Sequence, residues 1–119
     1  MMPPASLAEA ARELARLSRA IAFALEAGDL DAAERAVDER GRLLDLVADR
    51  RLPVTGDTAA AMSEARAVIA DADARSGAAL ERAAAEARAA LGALGDGARA
   101  LRAYLPAEPL SAGYVDRHD

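Results

Sequence analysis

The stretch Leu25-Glu26-Ala27-Gly28-Asp29-Leu30-Asp31-Ala32 decides the architecture. Gly28 follows an apolar row. It takes a left-handed backbone conformation without a Cβ penalty, so it ends a helix. Asp29 comes directly after it, and a carboxylate at that place accepts from the free amides of a new helix. Asp31 and Glu34 add negative charge near that helix's positive end. Almost nothing separates the stop from the start, so the two helices are predicted to form an antiparallel hairpin.

Upstream, Ser6-Leu7-Ala8-Glu9 has capping-box spacing, with hydroxyl and carboxylate satisfying orphan amides reciprocally. Leu7, Leu14, Leu17, Ile21 and Leu25 then line one face, with Ala10, Ala11 and Ala24 filling the row. Downstream, the second helix carries Leu30, Ala33, Val37, Leu44 and Val47, widened by Leu43 and Leu46, and these are read as its buried stripe. Gly41 is a weak point within it. Pro53 stops it.

Residues 52–57 form a turn-rich linker. Asp57 or Thr55 is expected to cap a third helix. Its stripe reads Met62, Ala65, Val68 or Ile69, Ala72, Ser76, Leu80, Ala83, Ala87, Leu91 and Leu94. No proline interrupts residues 58–105, so a helix of about 45 residues and about 70 Å is allowed at 1.5 Å per residue. Gly92, Gly95 and Gly97 each cost about 1 kcal/mol relative to Ala, and a kink or break is expected there. The first two helices span about 33 Å each. The mismatch leaves an apolar and alanine stripe that needs a cover. Two prolines and a glycine argue against helix beyond residue 105. The expected division is therefore a helical bundle domain at 1–105 and a flexible tail at 106–119.

Composition agrees with an all-α chain. Alanine supplies 35 of the 119 residues and leucine 15, against one Phe, two Tyr, no Trp and no Cys. So few β-branched and aromatic residues cannot build a sheet-based core. The formal charge is −5, and all 15 basic residues are Arg, dispersed among 20 acidic ones. An acidic chain without a clustered basic face is a poor ligand for nucleic acid and for anionic membranes. No apolar run reaches the roughly 20 residues of a membrane span. Met1-Met2-Pro3-Pro4 lacks the features of a signal peptide. The expectation is a soluble cytoplasmic protein with no membrane insertion.

Candidate chemical constellations are sparse. His118 is the sole histidine and reads as a solvated terminal residue. No metal-ligand spacing occurs, so no metal and no cofactor is expected. Asp71 and Asp73 read as a solvated polar face. Arg40, Arg42, Arg50 and Arg51 are interleaved with Asp38, Glu39, Asp45 and Asp49, which reads as local ion pairing. The proposed inward faces carry no persistent charge, so the chain is not expected to be an enzyme. In the tail, Tyr114 beside Val115 has the look of a short docking motif, or else packs back on the bundle.

Two stretches resemble flagellar export chaperones of the FlgN/FliT type. The first is Leu25 to Ala32 followed by Asp38-Glu39-Arg40-Gly41-Arg42-Leu43-Leu44-Asp45-Leu46, similar to that family's hairpin. The second is Ala100-Leu101-Arg102-Ala103-Tyr104, a proline-containing spacer, then Tyr114-Val115-Asp116-Arg117, similar to its C-terminal end. The alanine run from Ala83 to Ala90 and the absence of Lys and Gln depart from the pattern. The resemblance implies a cytoplasmic chaperone without ATPase activity. It would bind a helical segment of a hook-associated (hook–filament junction) or filament-cap protein, block premature assembly and deliver the client to the export gate or export ATPase complex. The partner-binding residues expected on this reading are Leu80, Leu91, Leu94, Leu101, Tyr104, Leu110, Tyr114 and Val115. The rival from another class is a structural or regulatory protein that covers the same face as a homodimer.

Overall fold

A computed structural model describes residues 2–105. It contains three helices, α1 (Leu7–Ala27), α2 (Leu30–Asp49) and α3 (Thr58–Tyr104), and no strand among the described residues. The chain divides into two compact units, Met1–Arg82 and a second beginning at Ala83. The predicted all-α hairpin followed by a long third helix is what is found. The expected positions Leu110, Tyr114, Val115 and His118 lie outside the described residues.

The caps follow the sequence closely. Ser6 Oγ accepts from the Glu9 amide at 3.2 Å. The Glu9 carboxylate reaches back to an amide at 2.7 Å, that of Ala5. The Leu7 amide, another orphan of the first turn, donates to the Pro53 carbonyl at 3.0 Å. At the other end Gly28 sits at φ 74°, ψ 16°. Its amide donates to Leu25 O at 3.2 Å, and the Asp29 amide donates to Ala24 O at 2.8 Å. This pair of bonds is a Schellman motif. The Asp29 side chain then accepts from the Ala32 amide at 3.0 Å, opening α2.

The start of α3 is built differently from the simple cap expected. The Asp57 carbonyl accepts from the Ala61 amide at 2.9 Å, which places Asp57 at the cap position. Its carboxylate is drawn elsewhere, accepting from the Thr55 hydroxyl and from Arg12 Nη2 at 2.6 Å. The Thr55 amide donates to Thr58 Oγ1 at 2.8 Å, closing the turn on itself.

The core of the first unit is small-residue packing. Leu17, Ile21 and Leu43 are the large side chains in it. Around them lie alanines of α1 and α2, and α3 contributes Ala61, Ala65, Ala72 and Ala79. That spacing of four, seven and seven is a helix seam with methyl groups in place of larger knobs. A fully buried Leu or Ile contributes about 1.5–3 kcal/mol, an alanine far less. Seating of this part of α3 therefore leans on polar contacts. Arg75 grips Glu26 through two bonds, at 3.0 and 2.5 Å. Arg12 pairs with Asp57. Arg40 Nη1 donates to buried Ser18 Oγ at 3.2 Å and lies 3.4 Å from Asp73 Oδ1. Ser76 Oγ is buried nearby in sequence without a partner.

Three expectations are corrected. The α2 stripe holds in part and is rotated: Ala33 and Leu43 are buried as expected, joined by Ala36, but Leu30, Val37 and Leu44 are 68%, 46% and 49% exposed. The sequence offers two apolar rows, and the tight turn and Arg40 select the row at 33, 36, 40, 43 and 47. The local ion pairs expected around Arg40, Arg42, Arg50 and Arg51 do not form among the described residues. Arg40 instead bonds across to Asp73, which is therefore not a purely solvated residue. Finally, α3 continues through Gly92, Gly95 and Gly97 without a break. All three glycines lie within the helix, and the flanking Ala, Leu and Arg are strong helix formers.

Two predictions follow from the caps and pairs. Gly28→Ala meets no steric obstacle, since nothing lies within 4 Å of an added Cβ, yet it must hold φ at +74°. It should destabilise the fold by about 1–2 kcal/mol. Gly41→Ala, equally unobstructed but helical, should stabilise by about 0.5–1 kcal/mol. Urea titrations of both read the opposite signs.

Acid sensitivity is the other. The Asp57 carboxyl is held below the ordinary range by the Thr55 hydroxyl and then by Arg12. The Glu26 carboxyl is held down by Arg75. A depressed carboxyl pKa adds stability that is present above the unfolded value and lost as pH falls through the folded value. The urea midpoint should hold steady down to about pH 5 and decline below about pH 4. A D57N/E26Q variant should show a flatter acid limb; an identical limb would mean these pairs do not help hold α3.

Candidate partner-binding face

In the second unit every described residue from Ala83 to Leu105 is exposed except Gly95, which is intermediate. Leu91, Leu94 and Leu101 are 67%, 69% and 61% exposed, Tyr104 87% and Leu105 50%. Leu91, Leu94, Ala98, Leu101 and Leu105 follow one another by three and four residues, the spacing of a helix seam. Ala84 and Ala87 continue that spacing toward the N-terminus. A soluble helix with such a seam normally buries it. Here the described chain leaves it open.

The small residues matter to what the face can do. Alanine and glycine between the leucines let a second helix approach closely, and the leucines supply the area. Leu80, the expected site residue on the first unit, is 55% exposed. The structure therefore leaves Leu80, Leu91, Leu94, Leu101 and Tyr104 all accessible. Leu105 belongs with them and was not among the expected site residues, although its place four residues after Leu101 carries the signal. Charges around the seam are few. Asp96 and Arg99 pair with each other at 3.0 Å, while Arg88 and Arg102 form no ion pair among the described residues.

The chemistry elsewhere is modest. Among the described residues, no group of three or more His, Cys, Asp or Glu side chains could hold a metal ion. An open cleft of about 1060 Å³ in the first unit is lined by Met2, Arg12, Arg16, Glu39, Arg42 and Leu46 among others. Its Arg12 is committed to Asp57, and its Arg16 to Glu13 and, at 3.9 Å, to Glu39. Such mutually paired groups offer no poised acid, base or nucleophile. No described helix is long and apolar enough to cross a membrane.

Among the described residues the open helical seam is the most extended apolar surface. The family described as Flagellar protein FliT matches residues 8–106 of the chain. This chain is a member of the FliT family. No curated protein and no solved structure matches it. Membership gives the chain, in general terms, the role of a flagellar chaperone, in a family of chaperones rather than enzymes. The match takes in all three helices, so the hairpin and the open seam are both parts of the FliT unit.

If the seam exists for a partner and not for the fold, its loss should leave the fold intact. Leu91→Asp with Leu94→Asp should change unfolding free energy by no more than about 0.5 kcal/mol. Leu17→Ala, in a side chain only 3% exposed, should cost about 2–5 kcal/mol. Chemical denaturation of the three proteins provides the comparison.

Proposed function

We propose that this FliT-family member is a cytoplasmic chaperone of flagellar type III export that covers an amphipathic helix of a filament-cap or hook–filament junction protein. The observation that carries this reading is the run of exposed leucines at 91, 94, 101 and 105. Masking one helix with another blocks premature assembly by occupying its apolar face. Leu91, Leu94, Leu101 and Tyr104 form the proposed client face of the second unit, and Leu80 of the first unit is a separate proposed contact. Leu110, Tyr114 and Val115 of the tail are proposed to contact the export gate or export ATPase complex. The chain thus divides functionally into a bundle at 1–105 and a docking tail at 106–119.

Co-expression with candidate cap and junction proteins tests the reading. The wild-type chain should co-purify with one of them in a complex that L91D/L94D reduces at least tenfold. Deletion of residues 106–119 should leave client capture intact and abolish association with export components. A wild-type chain that forms a tight, non-exchanging dimer through Leu91 and Leu94, and captures no client, would instead establish the homodimeric structural role.

A further inference from the structure

The rotation of α2 leaves a second apolar row in the first unit, apart from the proposed client face. Leu30, Val37 and Leu44 recur at seven-residue intervals and are 68%, 46% and 49% exposed. Seven residues are nearly two turns, so the row runs straight up the helix for about 21 Å. Single exposed leucines are ordinary, but an aligned row at heptad spacing has the geometry of one side of a two-helix seam.

A second pattern has the same period. Asp31, Asp38 and Asp45 also recur every seven residues, and Glu34 lies one turn beyond Leu30. All four are exposed, and none forms an ion pair among the described residues. At 100° per residue they fall on the flank of the apolar row that faces away from buried Ala33 and Ala36. The row is therefore bounded on one side by the bundle and on the other by carboxylates free of ion pairs among the described residues, with Arg35 and Arg42 farther round the helix.

We propose that this face of α2 docks a basic amphipathic helix of a partner protein, with apolar residues at heptad spacing and Arg or Lys along one edge. The apolar row supplies the area. The carboxylates select the partner's charge and accelerate encounter, which is what exposed charges do best. A second copy docked antiparallel on the same face would set one acidic flank close to another, and like charges so placed repel. Nucleic acid and anionic lipid are repelled by the same carboxylates.

The test uses the full chain and two fluorescein-labelled heptad peptides of 21 residues, identical in their leucines and differing only in Lys or Glu at the flanking positions (a length of about three heptads). Fluorescence anisotropy should show the Lys peptide binding at least tenfold more tightly than the Glu peptide. Val37→Asp should abolish that binding. Charge reversal by D31K/D38K/D45K should invert the preference. All four substituted side chains are exposed, and circular dichroism verifies that the variants fold. L91D/L94D should bind the Lys peptide as wild type does. Equal binding of the two peptides would overturn the proposal. So would absence of Lys-peptide binding, insensitivity to V37D, or loss of binding in L91D/L94D. Conversion of a wild-type dimer to monomer by V37D in sedimentation would also overturn it, by making the occupant a second copy. The client face is assayed separately by co-purification, so either surface can fail without the other.

Discussion

Gly28 and Asp29 leave the hairpin almost no rotational freedom. The Asp29 amide finishes α1 by bonding Ala24 O, and the Asp29 carboxylate starts α2 by bonding the Ala32 amide. One residue thus belongs to both caps. The left-handed φ of Gly28 makes the reversal possible. Once both caps are satisfied, the angle at which α2 presents its side chains is set at its first turn. A different rotation would break one of the two caps, at a cost of about 0.5–2 kcal/mol. The burial of Ala33, Ala36 and Leu43, and the exposure of Leu30, Val37 and Leu44, follow from that turn.

The same economy governs α3. Its seam in the first unit is alanine, so contact is close and the gain in buried area is small. The interhelical arginines compensate through geometry more than through energy. Exposed ion pairs contribute only about 0.2–1 kcal/mol each, but a side-on Arg75–Glu26 pair and an Arg40 bonded to both Ser18 and Asp73 allow one longitudinal setting of α3. An alanine seam alone specifies register poorly, because every methyl resembles the next. Arginine suits this work, with a planar fork of donors that can engage two partners at once.

Much of this was legible in the sequence because the decisive signals are local. Ser6 with Glu9, Gly28 and Asp29 act on amides within a few residues, so a short window suffices to read them. The long helix was legible because no proline interrupts it. The expected break at Gly92–Gly97 failed because three modest helix penalties do not end a segment flanked by strong helix formers. The rotation of α2 was not legible for a different reason. Its two rows lie about a quarter turn apart, and the row of Leu30, Val37 and Leu44 is the more hydrophobic yet the more exposed, so periodicity alone ranks them the wrong way round. The choice rests on the turn and on Arg40, whose acceptors lie 22 and 33 residues away. Arg40 was grouped with its sequence neighbours for the same reason. The row of exposed leucines was legible in Leu80, Leu91, Leu94 and Leu101. Its extension to Leu105 was obscured by the proline that follows.

The small core also bears on why the exposed rows stay open. A chain rich in leucine on every helix would collapse onto itself, and its free energy would fall most by burying all of them together. Here the large buried side chains are few, and the buried seams between the helices are largely lined by alanine methyls. Closing such a row against its own bundle would require prying apart methyl-lined seams and breaking Arg40 from Ser18 and Asp73. The cost falls on contacts already made, while the gain is limited to residues already half-covered, such as Val37 and Leu44. An external helix faces no such trade: it buries the row without disturbing the seam beneath. A chaperone has to hold apolar surface in water without consuming it, and an alanine core that is tightly closed but narrow is a physical means of doing so.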